Sequence, residues 1–133
     1  MSDNKYLLEV KDLKQHFNIP NGLFGSKKLK AVDGVSFAIK KGETLGLVGE
    51  SGCGKSVTSL SLMQLLQRPQ GQVVEGEIRV NLGDKCYDVT KVPNEKMQNL
   101  RGNYISMIFQ EPMTALNPVF RIGEQLTEVI ELH

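Results

Sequence analysis

The residues best placed to do chemistry lie together at Gly49-Glu50-Ser51-Gly52-Cys53-Gly54-Lys55-Ser56. A glycine, four free positions and then Gly-Lys-Ser is the spacing of a loop that cradles phosphate. Glycines at 49, 52 and 54 let backbone N–H groups reach phosphate oxygens with no Cβ in the way. Lys55 brings a compact cation to the β- and γ-phosphates, and the Ser56 hydroxyl is placed to ligate Mg²⁺. A helix opening at this point adds the positive end of its dipole to the same anion site. The plain alternative is a glycine-rich surface turn beside an exposed lysine. The flanking sequence favours a nucleoside triphosphate site.

Such a loop must leave a buried strand and open a helix. Thr44-Leu45-Gly46-Leu47-Val48 supplies a short apolar run after the turn-like Lys40-Lys41-Gly42-Glu43. Downstream, Val57, Leu60, Leu62, Met63, Leu65 and Leu66 predict a largely buried helix that stops near Arg68-Pro69-Gln70-Gly71. Before the loop, Tyr6–Val10 and Leu13–Phe17 read as strand material broken by Lys11-Asp12, Asn18–Lys30 as a loop, and Ala31–Ile39 as a second strand. After it, Val73–Val80 is strand-like, and Gly83-Asp84 turns into Cys86–Val89. Pro93-Asn94-Glu95 opens a short polar helix through about Arg101. Tyr104–Phe109 reads as a second buried strand ending at Gln110, and Glu111–Phe120 as a loop. From Arg121, the residues Ile122, Leu126, Val129 and Ile130 follow helical spacing to His133.

Composition narrows the classes. The 133 residues suffice for one modest domain with a core, and 40% hydrophobic with 23% charged residues is ordinary for an α/β protein. The formal net charge is +1, and no basic cluster exceeds Lys27-Lys28-Leu29-Lys30, which argues against a nucleic-acid surface. No apolar run approaches the roughly 20 residues of a membrane helix, and Met1–Lys5 lacks the apolar stretch of a secretory signal. Cys53 and Cys86 have no metal-ligand spacing. A disulfide at Cys53 would obstruct the loop, so a reducing cytoplasm is the expected compartment. His16 reads as a solvated strand residue, and Asp33, Glu43 and Glu50 as turn residues.

On three stretches the sequence resembles the ATP-binding subunits of ABC transporters, most of all the oligopeptide/dipeptide (and related nickel) permease group. They are Ala31–Phe37, Gly42–Ser56 and Ile105-Ser106-Met107-Ile108-Phe109-Gln110-Glu111-Pro112-Met113-Thr114-Ala115-Leu116-Asn117-Pro118. The resemblance implies an α/β fold of the P-loop NTPase class: the N-terminal part of a single ABC-type nucleotide-binding domain over residues 1–133. Within it, residues 6–43 begin an antiparallel β subdomain, 44–67 hold strand, P-loop and helix, 73–109 hold strands and a short helix, and 110–133 hold the Q-loop and the start of a helical subdomain. It implies ATP contacts from Gly49, Ser51, Gly52, Cys53, Gly54, Lys55, Ser56 and Val57. Phe17 matches the aromatic that stacks on adenine, with a plain core residue as the other reading. Lys55 and Gln110 match residues that serve hydrolysis, and Ser56 and Gln110 would hold Mg²⁺. Where many such loops carry a second hydroxyl after the serine this chain has Val57, followed by Thr58.

The implied partners are membrane permease subunits, met through residues 111–120, and a second nucleotide-binding subunit. Met113, Leu116, Val119 and Phe120 serve that contact or tuck into their own domain. The implied location is the cytoplasmic face of the inner membrane, as a peripheral subunit. The sequence has no run of four apolar residues ending in Asp and no Leu-Ser-Gly-Gly-Gln. It therefore reads as the ATP-cradling half of an ATPase: able to bind ATP, without turnover by itself, and with a poorly anchored final helix. Competing readings are a non-transport ABC-type ATPase, a nucleotide kinase or GTPase sharing the loop, and a non-enzymatic nucleotide-binding fragment. The transported substrate is not encoded in these residues.

Overall fold

Alternating apolar positions and β-branched residues draw two stretches before the phosphate loop into strands. In the computed structural model, which describes residues 5–23, 25–66 and 71–132 without the side chains of residues 71, 72 and 112, Tyr6–Asn21 form β1 and Gly25–Lys40 form β2. The chain divides into two compact units, Met1–Met97 and Gln98–His133.

In the first unit, β1 and β2 pair as one long hairpin, and β3 (Gly71–Asn81) and β4 (Cys86–Asp88) complete an antiparallel sheet of order β2-β1-β3-β4. The expected break at Lys11-Asp12 is a bulge inside one continuous strand. Asp12 takes φ 46°, and the register shifts there against both neighbours. The extra residue keeps Val10 and Leu13 both buried although they are three apart. Three groups hold the bulge. The Ser36 hydroxyl accepts the Asp12 N–H at 2.8 Å, Gly34 at φ 85° faces the Asp12 carboxylate, and Gly76 at φ 103° lies under the Lys11 and Asp12 carbonyls.

The expected loop at Asn18–Lys30 is instead the far end of the hairpin, with Asn18 opposite Lys28 and Asn21 opposite Gly25. Its signal was Asn21-Gly22, where Gly22 takes φ 70°.

Helix α1 (Lys55–Leu62) packs on β1 and β2. It is shorter and more polar inside than the apolar spacing predicts. Its buried residues are Thr58 and Ser61, whose hydroxyls donate back to the Gly54 and Val57 carbonyls at 2.9 and 2.8 Å. Met63 follows as a buried apolar cap, whereas Leu65 is exposed. The predicted stop at residues 68–70 lies outside the described residues. Gln64, at φ 51°, turns the chain out of the helix. That conformation costs a non-glycine residue about 1 kcal/mol. It is offset by the side-chain amide, which donates to the Val89 and Val92 carbonyls. The turn so held is tightened by Asp88, which accepts from the Thr90 N–H and hydroxyl and pairs with Lys91 at 2.8 Å. Burial pushes the Asp88 carboxyl up, but the hydrogen bonds from Lys91 and Thr90 outweigh it and hold the group below its ordinary value. Val10, Leu13, Val32, Met63, Ile78, Val80, Val89 and Met97 form the apolar core of this unit.

Helix α2 (Asn94–Leu100) forms as expected and runs across the division between units. In the second unit a tight turn returns the Tyr104 and Ile105 N–H groups to the Leu100 carbonyl at 3.0 and 3.1 Å. A 3-10 turn (Pro112–Thr114) and helix α3 (Ile122–Leu132) follow, and no residue of α3 is buried.

Two expected strands are corrected. Thr44–Val48 and Tyr104–Phe109 have no regular structure beyond one bridge between Arg101 and Ile105, and Val48 and Ile108 are 93% and 99% exposed. A buried parallel strand is held by ladders to neighbouring strands and covered on its faces. Among the described residues no strand pairs with either segment, so apolar composition alone leaves them extended and open. The structure thus has the antiparallel sheet and helices of an α/β chain, with no parallel core sheet among the described residues.

Gly76→Ala tests the bulge. Its Cβ would meet the Asp12 carbonyl oxygen at 2.5 Å and the Lys11 carbonyl oxygen at 2.7 Å. Strain and overlap together should cost about 2–4 kcal/mol, read as a lowered urea midpoint with unchanged slope.

Candidate phosphate-binding site

The site is built where β2 ends and α1 begins. Gly42 (φ 78°) turns the chain out of β2, and the Glu43 carboxylate accepts the Lys40 N–H at 2.8 Å. The segment then runs to the loop, where the Cys53 N–H donates to the Glu50 carbonyl at 3.3 Å. Gly54 is the N-cap of α1, at φ 92° and with no side-chain cap. A Cβ here would overlap the Ala31 carbonyl oxygen and stand 3.3 Å from Val32 Cγ2. The glycine is therefore required for the loop to lie against β2. Gly52 (φ 80°) has open space where a Cβ would sit, and Gly49 has its space filled by the Cys53 sulfur.

The first helical N–H to find a carbonyl is that of Thr58, which donates to Gly54 O at 2.9 Å. The amides of Lys55, Ser56 and Val57 precede it and have no partner within the helix. No acidic residue sits in the first turn of α1. Unmatched amides, the positive end of a dipole and no carboxylate in the first turn of the helix are features that favour an anion.

Lys55 folds back across the loop. Its ammonium donates to the Gly49 and Glu50 carbonyls, both at 2.7 Å, and approaches Cys53 Sγ at 3.2 Å. All three ammonium hydrogens are thus directed at the loop that the residue serves. The Ser56 side chain is exposed. Thr58 is buried with its hydroxyl turned to Gly54 O, so it supplies no hydroxyl to the loop in place of the one missing at Val57.

Phe17 lies on β1, half-buried, opposite Leu29 of β2 and Gly71 of β3. Two residues back, Gln15 pairs with Val32, the residue against which Gly54 packs. Phe17 and the loop residues Gly49, Ser51, Gly52, Cys53, Gly54, Lys55, Ser56 and Val57 all belong to the first unit. Gln110 belongs to the second unit, where it is exposed in an irregular segment. Among the described residues no cluster of three His, Cys, Asp or Glu could hold a metal ion.

Sequence reasoning missed Gln125. Its side-chain oxygen accepts the Asn117 N–H at 2.9 Å, and its amide donates to the Asn117 and Phe120 carbonyls, both at 3.0 Å. One α3 side chain thus fixes the segment that presents Leu116, Val119 and Phe120. A glutamine in an apolar-spaced helix gives no such warning in sequence.

A family model described as ABC transporter matches residues 32–131. The chain belongs to this family, and its fold class is that of the P-loop NTPases. It is 53% identical over 128 residues to the oligopeptide transport ATP-binding protein AppD of Bacillus subtilis, covering 96% of this chain and 36% of that protein. It is 43% identical to a probable peptide ABC transporter ATP-binding protein, y4tR, of Sinorhizobium fredii, covering 96% and 35%. To the oligopeptide transport ATP-binding protein OppD of Escherichia coli it is 44% identical, covering 96% and 34%. The chain spans about a third of the length of these relatives. No helix among the described residues is long and apolar enough to cross a membrane.

Two substitutions test these geometries. Thr58→Val should lower stability by about 1 kcal/mol through loss of the buried hydrogen bond, while nucleotide affinity, measured by titration calorimetry, stays unchanged. Gln125→Ala should speed amide exchange at Asn117 and Val119, read by hydrogen-exchange NMR, and leave amides of the first unit as they were.

Proposed function

We propose that this chain is the ATP-cradling portion of an energy-coupling subunit of an ABC importer for peptides. The observation that carries the reading is the uncapped start of α1 at Gly54, held against β2 and lined by the amides of Lys55, Ser56 and Val57. In this reading those amides, with Gly49, Ser51, Gly52, Cys53 and Gly54 of the loop, surround the phosphates. Lys55 exchanges its contacts to the Gly49 and Glu50 carbonyls for phosphate oxygens. Phe17 stacks on the adenine ring. Ser56 contributes an oxygen to Mg²⁺, and Gln110, in the second unit, offers a carboxamide suited to orienting a water.

Hydrolysis needs a group that holds the metal and one that positions the water. Within these 133 residues no run of four apolar residues ends in Asp, and in this reading the chain binds ATP without turning it over. The names of the relatives, oligopeptide transport ATP-binding protein in two cases, support the peptide class. The exposed Met113, Leu116, Val119 and Phe120 support a contact with permease subunits through residues 111–120. The site is completed by a second copy of the nucleotide-binding subunit, and the assembly lies at the cytoplasmic face of the membrane.

A thermal melt with and without MgATP tests the binding claim. A ligand that binds only the folded state at a hundred times its Kd adds about 2.7 kcal/mol, so the midpoint should rise in the wild type and stay fixed in Lys55→Ala. Phe17→Ala should weaken ATP about tenfold, the loss of one stacking contact. A cooperative wild-type melt that ignores MgATP overturns the reading.

A further inference from the structure

The far end of the β1–β2 hairpin does nothing for the phosphate site. Among the described residues β1 is bonded to β3 as far as Phe17 opposite Gly71, and Asn18–Asn21 pair with β2. Every described residue from Asn18 to Lys30 is exposed. This arm holds Lys27, Lys28 and Lys30 and no acidic residue. Lys30 reaches Asp33 at 3.3 Å, while among the described residues no carboxylate lies within ion-pair distance of Lys27 or Lys28. At the tip Leu23 is 94% exposed beside Gly22, and behind it Ile19 lies directly opposite Lys27.

We propose that this arm is a docking surface for an anionic lipid bilayer. Neighbouring residues of a strand point to opposite faces, so Lys27 and Lys28 put positive charge on both sides of the ribbon behind Leu23. Lys27 is two ladder steps behind the Asn21–Gly25 pair, about 7 Å at roughly 3.4 Å per residue. That matches the lipid headgroup layer, about 5–7 Å deep on each side of the hydrocarbon. Leu23 would enter the boundary of the acyl chains while the two ammonium groups stay level with lipid phosphates. A nucleic acid would reward the lysines but not a solvent-exposed leucine at the leading end. The arm also lacks arginine, the residue that grips phosphate bidentately.

The test is co-sedimentation of the chain with vesicles of equal parts phosphatidylglycerol and phosphatidylcholine, and with vesicles of phosphatidylcholine alone. Binding should require the anionic lipid and fall with added salt. Lys27→Gln with Lys28→Gln should reduce it about thirtyfold, and Leu23→Ser about tenfold. Lys40→Gln with Lys41→Gln, outside the arm, should leave it unchanged. All variants should keep the wild-type melting curve and its response to MgATP, which separates this surface from the nucleotide reading. Failure of the wild type to sediment overturns the proposal. So do equal binding to neutral vesicles, arm variants that bind like wild type, an equal loss in the Lys40/Lys41 variant, and a preference for duplex DNA or polyglutamate over vesicles.

Discussion

One extra residue in β1 sets the phase of everything built on the sheet. Side chains on a strand alternate between faces, so a slip of one position would exchange the buried set for the solvent set. The bulge at Asp12 makes that slip between Val10 and Leu13, and the register against β2 shifts again between Leu13 and Lys14 and between Gln15 and His16. Without it, either the first apolar residues or Leu13 and Gln15 would face water. Because β1 is central to its sheet, the same shift is felt by β2 and β3. Val32, opposite Gln15, is thereby aimed at the start of α1. The position of the phosphate loop thus depends on strand register set more than thirty residues upstream in sequence, the kink at Asp12 included.

The loop itself was legible because its chemistry is local. Glycines at fixed offsets, a lysine and a serine say what they do without reference to anything distant, and the helix does begin at Lys55. β3, β4 and α2 were legible for a similar reason, being bounded by their own turns at Gly83-Asp84 and Pro93. Asn18–Lys30 misled because Pro20, two glycines and a polar composition signal a loop, yet two strands already paired at Phe17 and Leu29 continue their ladder at little further cost. Thr44–Val48 and Tyr104–Phe109 misled in the opposite direction. Their composition is that of a core strand, but a strand is a relation between segments, and no strand among the described residues pairs with either. The inward turn of the Thr58 hydroxyl and the grip of Gln125 were beyond sequence, since both depend on rotamers chosen by neighbours.

The second unit shows what apolar patterning does when nothing receives it. Helix α3 has helical spacing of Ile122, Leu126, Val129 and Ile130, and all four remain exposed. Its order rests on polar links instead: Gln125 to the preceding segment, and Thr127 to the Gly123 carbonyl at 2.9 Å. Such bonds contribute roughly 1 kcal/mol each, against the 1.5–3 kcal/mol typical of burying one large apolar side chain. The stability of this unit is accordingly local, and its apolar face is energy not yet realised.

Gly49 and Gly54 differ in what stands against them, and the difference has a genetic reading. A side chain at position 49 would collide with the sulfur of Cys53 at 2.5 Å, a group that a smaller residue could remove. A side chain at position 54 would collide with the main-chain oxygen of Ala31, which every amino acid carries. Damage at 49 is therefore open to a second-site suppressor at 53. Damage at 54 admits none at 31, so of the two glycines it is the later one whose loss selection can only reverse.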